Sequence, residues 1–231
     1  MRRLILLRHG ESVWNAADRF AGWTDVPLSE VGRKEAARAG ALLASAGLLP
    51  DVVHTSLLRR AISTAAIALD VADRHWIPVR RTWRLNERHY GALEGRRREE
   101  VRAEFGDERF TAWRRSYSAA PPPLGRERDH DARYRGVDVP RSESLEDVLA
   151  RLLPYWGTAV GTDLRASRTV LIVAHGNVLR ALISHLDQVE PAAIRNIAVP
   201  TGEPIRYELT ETLRPIGYRL PLRERLPQSS E

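Results

Sequence analysis

The chain has 231 residues, 43% hydrophobic and 29% charged, enough for one large α/β domain with its own core or two small ones. It has no cysteine, which excludes a disulfide framework and a thiolate metal centre and fits a reducing cytoplasm. The net charge of +6 is carried by arginine everywhere except Lys34, and the basic residues are spread along the chain, with clusters at Arg96-Arg97-Arg98 and Arg114-Arg115 rather than a stripe or tail, so charge alone says that anions are welcome.

The first apolar run, Leu4 to Leu7, is too short for a signal-peptide core, and no segment reaches membrane-spanning length. It reads as a strand buried on both faces that ends at Arg8-His9-Gly10. Ser29 is an N-cap for a helix over Glu30 to Ala46, ending near Gly47. Asp51 to Ser56 is a short strand, followed by a helix over Leu57 to Leu69. Residues 86 to 140 break the alternation. They read as short helical pieces and then Pro- and Gly-rich loop, an insertion over the sheet. Glu143 to Trp156 is helical, with Leu145, Val148, Leu149, Leu152 and Leu153 on one stripe and Pro154 kinking its end. Thr169 to His175 is a second continuous apolar strand, and a helix over Asn177 to Leu186 follows it. Ile205 to Leu209 is a late strand, placed antiparallel to Gly217–Leu220, and residues from about 222 to 231 read as a mobile tail. The alternation predicts one doubly wound α/β domain over 1–231, with a mainly parallel sheet flanked by helices.

Two apolar strands thus end in His-Gly, at His9-Gly10 and His175-Gly176. In open parallel sheets, ligands bind beyond the carboxyl ends of the strands, so neighbouring strands would send both imidazoles into one crevice. Each glycine lets a ligand approach the backbone, and the helix that Asn177 opens offers free N–H groups to an anion. No cluster with zinc spacing surrounds the pair; the neighbours are arginines. Imidazole nitrogen is a nucleophile, and guanidinium forks match the oxygens of a phosphoryl group in transfer. Arg8 and Arg60 can therefore hold a phosphoryl group beside His9. Glu87, in RLNERHYGALEG, is a carboxylate able to take and return a hydroxyl proton. The nearby arginines favour its charged form, whereas an incoming phosphate dianion opposes it.

The segments LLRHGESVWN, GWTDVPLSE, TSLLRRAISTA, LNERHYGALEG, WRRSY, PPP and AHGNVLRAL stand in the order found in the cofactor-dependent phosphoglycerate mutases of the histidine phosphatase superfamily, which the chain resembles from about Leu4 to Leu209. The resemblance implies that His9 becomes a phosphohistidine, that Arg8, Arg60 and His175 stabilise the phosphoryl in flight, and that Glu87 is the general acid and base. It implies a phosphate pocket lined by Ser12, Asn15, Ala21, Gly22, Gly176 and Asn177, and a clamp of Arg88, His89, Tyr90, Arg98, Arg114 and Arg115 on the rest of the substrate. It further implies interconversion of 2- and 3-phosphoglycerate in glycolysis and gluconeogenesis, priming by 2,3-bisphosphoglycerate without a metal, no nucleic-acid or membrane partner, and a homodimer or homotetramer. A histidine-type phosphatase acting on small phosphate esters is the alternative, and the clamp of Tyr90, Arg98, Arg114 and Arg115 argues against it. A catalytically dead binding protein is the third reading; it would lack one of His9, Arg60, Glu87 or His175, and all are present. The sequence departs from the family at Ala21, where threonine is usual, at Arg98, where lysine is common, and in a short loop around Leu124 to Val139 and a short tail. A poor cover over the site predicts extra hydrolysis by water.

Overall fold

The computed structural model describes residues 1–125, 131–217 and 219–222. Its centre is a six-stranded sheet: β1 (Arg2–Arg8), β2 (Val52–Thr55), β3 (Val79–Arg81), β4 (Val170–Ala174), β5 (Pro204–Leu209) and β6 (Leu220–Pro221). The order is β3-β2-β4-β1-β5-β6. The first four run parallel, and β5 and β6 are antiparallel additions at one edge. The expected antiparallel partner near Gly217–Leu220 is thus present as β6, while Tyr218 and the tail beyond Leu222 lie outside the described residues.

Leu4, Ile5, Leu6 and Leu7 are all fully buried, because β1 sits mid-sheet with a core on each face. Strand alternation sends Leu4 and Leu6 to one core and Ile5 and Leu7 to the other. Each such side chain contributes about 1.5–3 kcal/mol of burial. Helices α2 (Glu30–Ser45) and α3 (Arg59–Val71) pack on the second face. On the first pack α5 (Leu145–Tyr155) and α7 (Gly176–Leu186). Ser29 caps α2 by accepting from the Gly32 amide, and Ser144 caps α5 in a reciprocal bond with Asp147. The stripe of α5 falls where expected, with Leu145, Val148 and Leu152 buried and Leu149 and Leu153 packed at its border. The chain passes through Pro154 into a wide π-type turn over Trp156–Val160 and then α6 (Gly161–Arg165).

Two features depart from the sequence reading. Residues 98–115, expected as part of short pieces, form the 18-residue helix α4 (Arg98–Arg115), broken at Gly106, whose φ is +81°. A short helix α1 (Val13–Ala16) also follows β1 directly. Helix α4 buries only Val101 and Phe110, which join Phe20 and Leu93 in a third small core. That core lies apart from the two against the sheet, and it carries the rim of the site.

Candidate active site

Arg8 on β1 is in register with Ala174 on β4, and the His9 amide donates to the Ala174 carbonyl at 2.9 Å. The register delivers both histidines to one end of the sheet, with ring centroids 4.9 Å apart. His9 is 3% exposed and His175 fully buried. Nδ1 of His9 lies 2.6 Å from the Gly10 carbonyl. A carbonyl only accepts, so Nδ1 carries the proton and Nε2 keeps its lone pair. Burial first, then Arg60 and Arg8, hold His9 well below the ordinary imidazole range. Burial, then Arg60 and His9, do the same to His175. Both rings are therefore neutral at pH 7, the form in which an imidazole is a nucleophile.

Gly10 has a different reason from the one expected. A Cβ there would lie 2.2 Å from the Gly32 carbonyl oxygen, so close packing of the strand end on α2, not ligand approach, requires the glycine. Gly176 does line the cavity.

Arg60 enters from the first turn of α3 and is 1% exposed. It donates from Nη1 to the Thr24 carbonyl at 2.9 Å and from Nη2 to the Gly22 carbonyl at 2.7 Å. Burial brings its pKa down to about 10, which leaves it charged at neutral pH. Arg8 donates from Nη1 to the Val199 carbonyl at 2.8 Å. Nε of Arg8, Nε of Arg60 and Nδ1 of His175 are all buried with no hydrogen-bond partner. An unsatisfied buried group costs about 1–3 kcal/mol, and these three belong to the residues that press on His9.

Glu87 lines the same cavity. Its Oε1 accepts from its neighbour Arg88's amide at 2.8 Å and from the Asn177 amide, at the start of α7, at 3.2 Å. The helix N-terminus expected to attract an anion thus holds this carboxylate. The loop behind Glu87 is fastened by side chains that the sequence reading missed. Arg151 reaches from α5 to the carbonyls of Arg84, Asn86 and Glu87 at 2.6, 2.8 and 3.1 Å and pairs with Glu143. Trp23 donates from its indole to the Glu87 carbonyl at 2.6 Å. Arg151 lies on the apolar stripe of α5 three residues after Val148, and a lone charge on such a stripe was the available signal.

These groups open on a cavity of about 280 Å³ lined by Arg8, Arg19, Arg60, Arg98, Arg114, Arg115 and Arg180, with Glu87 as its one carboxylate among the described residues. His9, Asn15, Ala21, Gly22, Tyr90, Gly176 and Asn177 complete the expected lining, and Phe20 joins them. His175 is not on the wall itself; its ring packs edge-on against that of His9. Ser12, Arg88 and His89 are also absent from the wall. Ser12 is buried as the cap of α1. Arg88 stacks over the Tyr90 ring at 4.5 Å and donates to the Trp113 carbonyl. His89 accepts from the Gly91 amide and lies 3.3 Å from Glu94. Arg98, at the rim, is paired with Asp18. Arg19, Phe20 and Arg180 were not anticipated; Arg180 stands three residues after Asn177, on the same helix face. Among the described residues no three acidic or histidine side chains are arranged to hold a metal ion, and no helix is long and apolar enough to cross a membrane.

Comparison with known proteins bears on this arrangement. The family model of the histidine phosphatase superfamily (branch 1) matches residues 4–214. The chain is 58% identical over 220 residues to a 2,3-bisphosphoglycerate-dependent phosphoglycerate mutase of Nocardia farcinica (strain IFM 10152), covering 94% of this chain and 90% of that one. It is 58% identical over 219 residues to the protein of the same name from Rhodococcus jostii (strain RHA1), covering 93% and 87%. Among solved structures, a mycobacterial glucosyl-3-phosphoglycerate phosphatase in complex with VO3 superposes with a TM-score of 0.72 at 29% identity, covering 90% of this chain and 93% of that one.

Proposed function

The chain belongs to the histidine phosphatase superfamily, and we propose that within it this protein is an isomerase that interconverts 2- and 3-phosphoglycerate through a phosphohistidine at His9, as a glycolytic and gluconeogenic enzyme of the cytoplasm. One observation carries the reading: Arg8, Arg60 and His175, the residues that act on or pack against the neutral His9 imidazole of an arginine-lined cavity, each keep a buried nitrogen with no hydrogen-bond partner. A phosphoryl group bonded to Nε2 of His9 supplies acceptor oxygens for those nitrogens.

The same orphaned donors fit 2,3-bisphosphoglycerate, which when bound supplies the phosphoryl group that primes His9. The residues then divide the work. Nε2 of His9 forms the bond to phosphorus while Nδ1 keeps its proton and donates a hydrogen bond to the Gly10 carbonyl. Arg8, Arg60 and His175 hold the equatorial oxygens as charge spreads over them. When the free hydroxyl of a monophosphoglycerate takes the phosphoryl, the P–N bond breaks, the lone pair returns to Nε2, and Glu87 takes the hydroxyl proton. Transfer in the opposite sense, from the other carbon position, returns the phosphoryl to His9 and the proton from Glu87 to the departing oxygen. Arg98, Arg114 and Arg115 hold the rest of the highly charged substrate against escape.

The runner-up, a phosphatase, draws on the phosphatase named above, which shares the fold at 29% identity. The mutase reading is favoured by relatives at twice that identity and by the crowd of cations at the rim. An enolase-coupled assay with and without 2,3-bisphosphoglycerate, on wild type and His9→Ala, separates the two. The mutase reading expects turnover stimulated by the bisphosphate and abolished by the substitution. Turnover indifferent to it, or fast release of inorganic phosphate from monophosphoglycerates, would overturn that reading.

A further inference from the structure

Arg180, like Arg19, lines the cavity and has no role in the chemistry above. It sits on α7, one turn after Asn177, and donates from Nη1 to Asn177 Oδ1 at 2.7 Å and from Nε to the Ile197 carbonyl at 3.2 Å. A guanidinium has donors only, so this contact fixes which end of the Asn177 amide is oxygen. The other end, Nδ2, then faces the Tyr90 hydroxyl at 3.0 Å and donates to it. The phenol oxygen is thereby an acceptor towards Asn177, and its own hydrogen remains for something else. Tyr90 lines the cavity, where anionic oxygens are held. Without Arg180 the amide is free to turn over and present Oδ1 to Tyr90, which would spend the phenolic hydrogen inside the protein.

We propose that Arg180 is a positioning residue for the substrate: through the Asn177 amide it sets the polarity of the Tyr90 hydroxyl, so that Tyr90 donates to an anionic oxygen of the bound phosphoglycerate. The inference rests on the functional reading above for its ligand. The backbone amide of the same Asn177 donates to Glu87, so the anchor that orients Tyr90 also borders the proton-transfer group.

A double-substitution cycle tests it, with calorimetric affinity for 3-phosphoglycerate and KM in the coupled assay as readouts. Arg180→Met weakens affinity about tenfold and raises KM to match while kcat stays within about twofold, the size of one lost hydrogen bond to a charged group. In a Tyr90→Phe background the same substitution changes affinity by less than about twofold. Arg180→Lys, which keeps an N–H donor for Asn177, recovers most of the affinity. A residue that only steadies the fold, or that touches the substrate directly, gives equal losses in both backgrounds, and that result overturns the proposal. So does unchanged affinity in Arg180→Met. Should Arg180→Met fail to fold, Asn177→Leu closes the same cycle, again with non-additivity against Tyr90→Phe expected and additivity overturning the proposal. A wild type that binds 3-phosphoglycerate without turning it over counts against the mutase reading and leaves the affinity cycle intact, so the two failures are distinguishable.

Discussion

The floor and the rim of the cavity are built in opposite ways. The floor residues Arg8, His9 and His175 stand at the ends of central strands, and Arg60 enters from the first turn of a helix packed against them; His9, Arg60 and His175 are no more than 3% exposed. The rim residues Arg98, Arg114 and Arg115 ride on α4, which buries two side chains of its own. The floor is held between the two sheet cores. The rim rests on the small cluster of Phe20, Leu93, Val101 and Phe110, the kind of region that opens at lower cost than the core. Fixed geometry belongs where a bond is made, and adaptable charge where a ligand must enter, turn and leave.

If the division is right, substitutions at the floor and its supports act on kcat and stability, and those at the rim on KM. The largest effect expected among these is from Glu87→Gln, which removes the proton acceptor and lowers kcat by about 10²–10⁴-fold with little change in affinity for 3-phosphoglycerate. Coupled kinetics beside calorimetry check this; a large loss of affinity with kcat intact would make Glu87 a binding group rather than the proton acceptor. Arg151→Met follows. It strands Glu143 in the interior and releases three carbonyls of the Glu87 loop, costing about 3–5 kcal/mol in denaturant unfolding, with kcat falling as Glu87 loses its seat. Arg115→Ala, at the exposed rim, should raise KM about tenfold and leave the rate of His9 phosphorylation within about twofold, which rapid-quench labelling measures. A matching drop in phosphorylation rate would erase the distinction between the two regions.

The smallest effect concerns pH. His9 and His175 are held well below the ordinary imidazole range by burial, so the folded protein stays unprotonated there while the unfolded chain takes up protons as pH falls through about 6.5. Stability from these groups is full above that pH and is lost as pH drops below it. Thermal unfolding between pH 7 and 5 should show the decline, smaller in His9→Ala. The acid limb of kcat/KM that reports His9 should lie below pH 6.5, because the neutral nucleophile persists into that range. A limb above 6.5 would show that the ring is not shielded as the geometry requires.

The same contrast decides what was legible in the sequence. The floor announced itself: a strand buried on both faces leaves a continuous apolar run, and the polar residue that ends it is conspicuous, as at Arg8-His9 and at His175. The cap Ser29 and the stripe of α5 were legible too, whereas the cap Ser144 falls inside the helix that the sequence predicts. The rim was harder. Helix α4 shows no stripe because only Val101 and Phe110 are buried along its 18 residues, so its charged sequence looked like broken pieces. Strand β3 is three exposed residues at a sheet edge, too short and too polar to show alternation. Ser12 caps α1, and Arg88 donates to the Trp113 carbonyl over the Tyr90 ring, contacts that no periodicity announces. Arg151 and Arg180 lie a single helical turn from recognised residues and needed only the helix-face spacing to be found.

The central claim is that one nitrogen, Nε2 of His9, bonds to phosphorus. The most direct measurement is to incubate the protein with ³²P-labelled 2,3-bisphosphoglycerate, digest it under basic conditions and map the label. The account predicts an acid-labile, base-stable adduct on the peptide holding His9, absent from His9→Ala. Label on another residue, or none on a protein that still turns over phosphoglycerate, would contradict it.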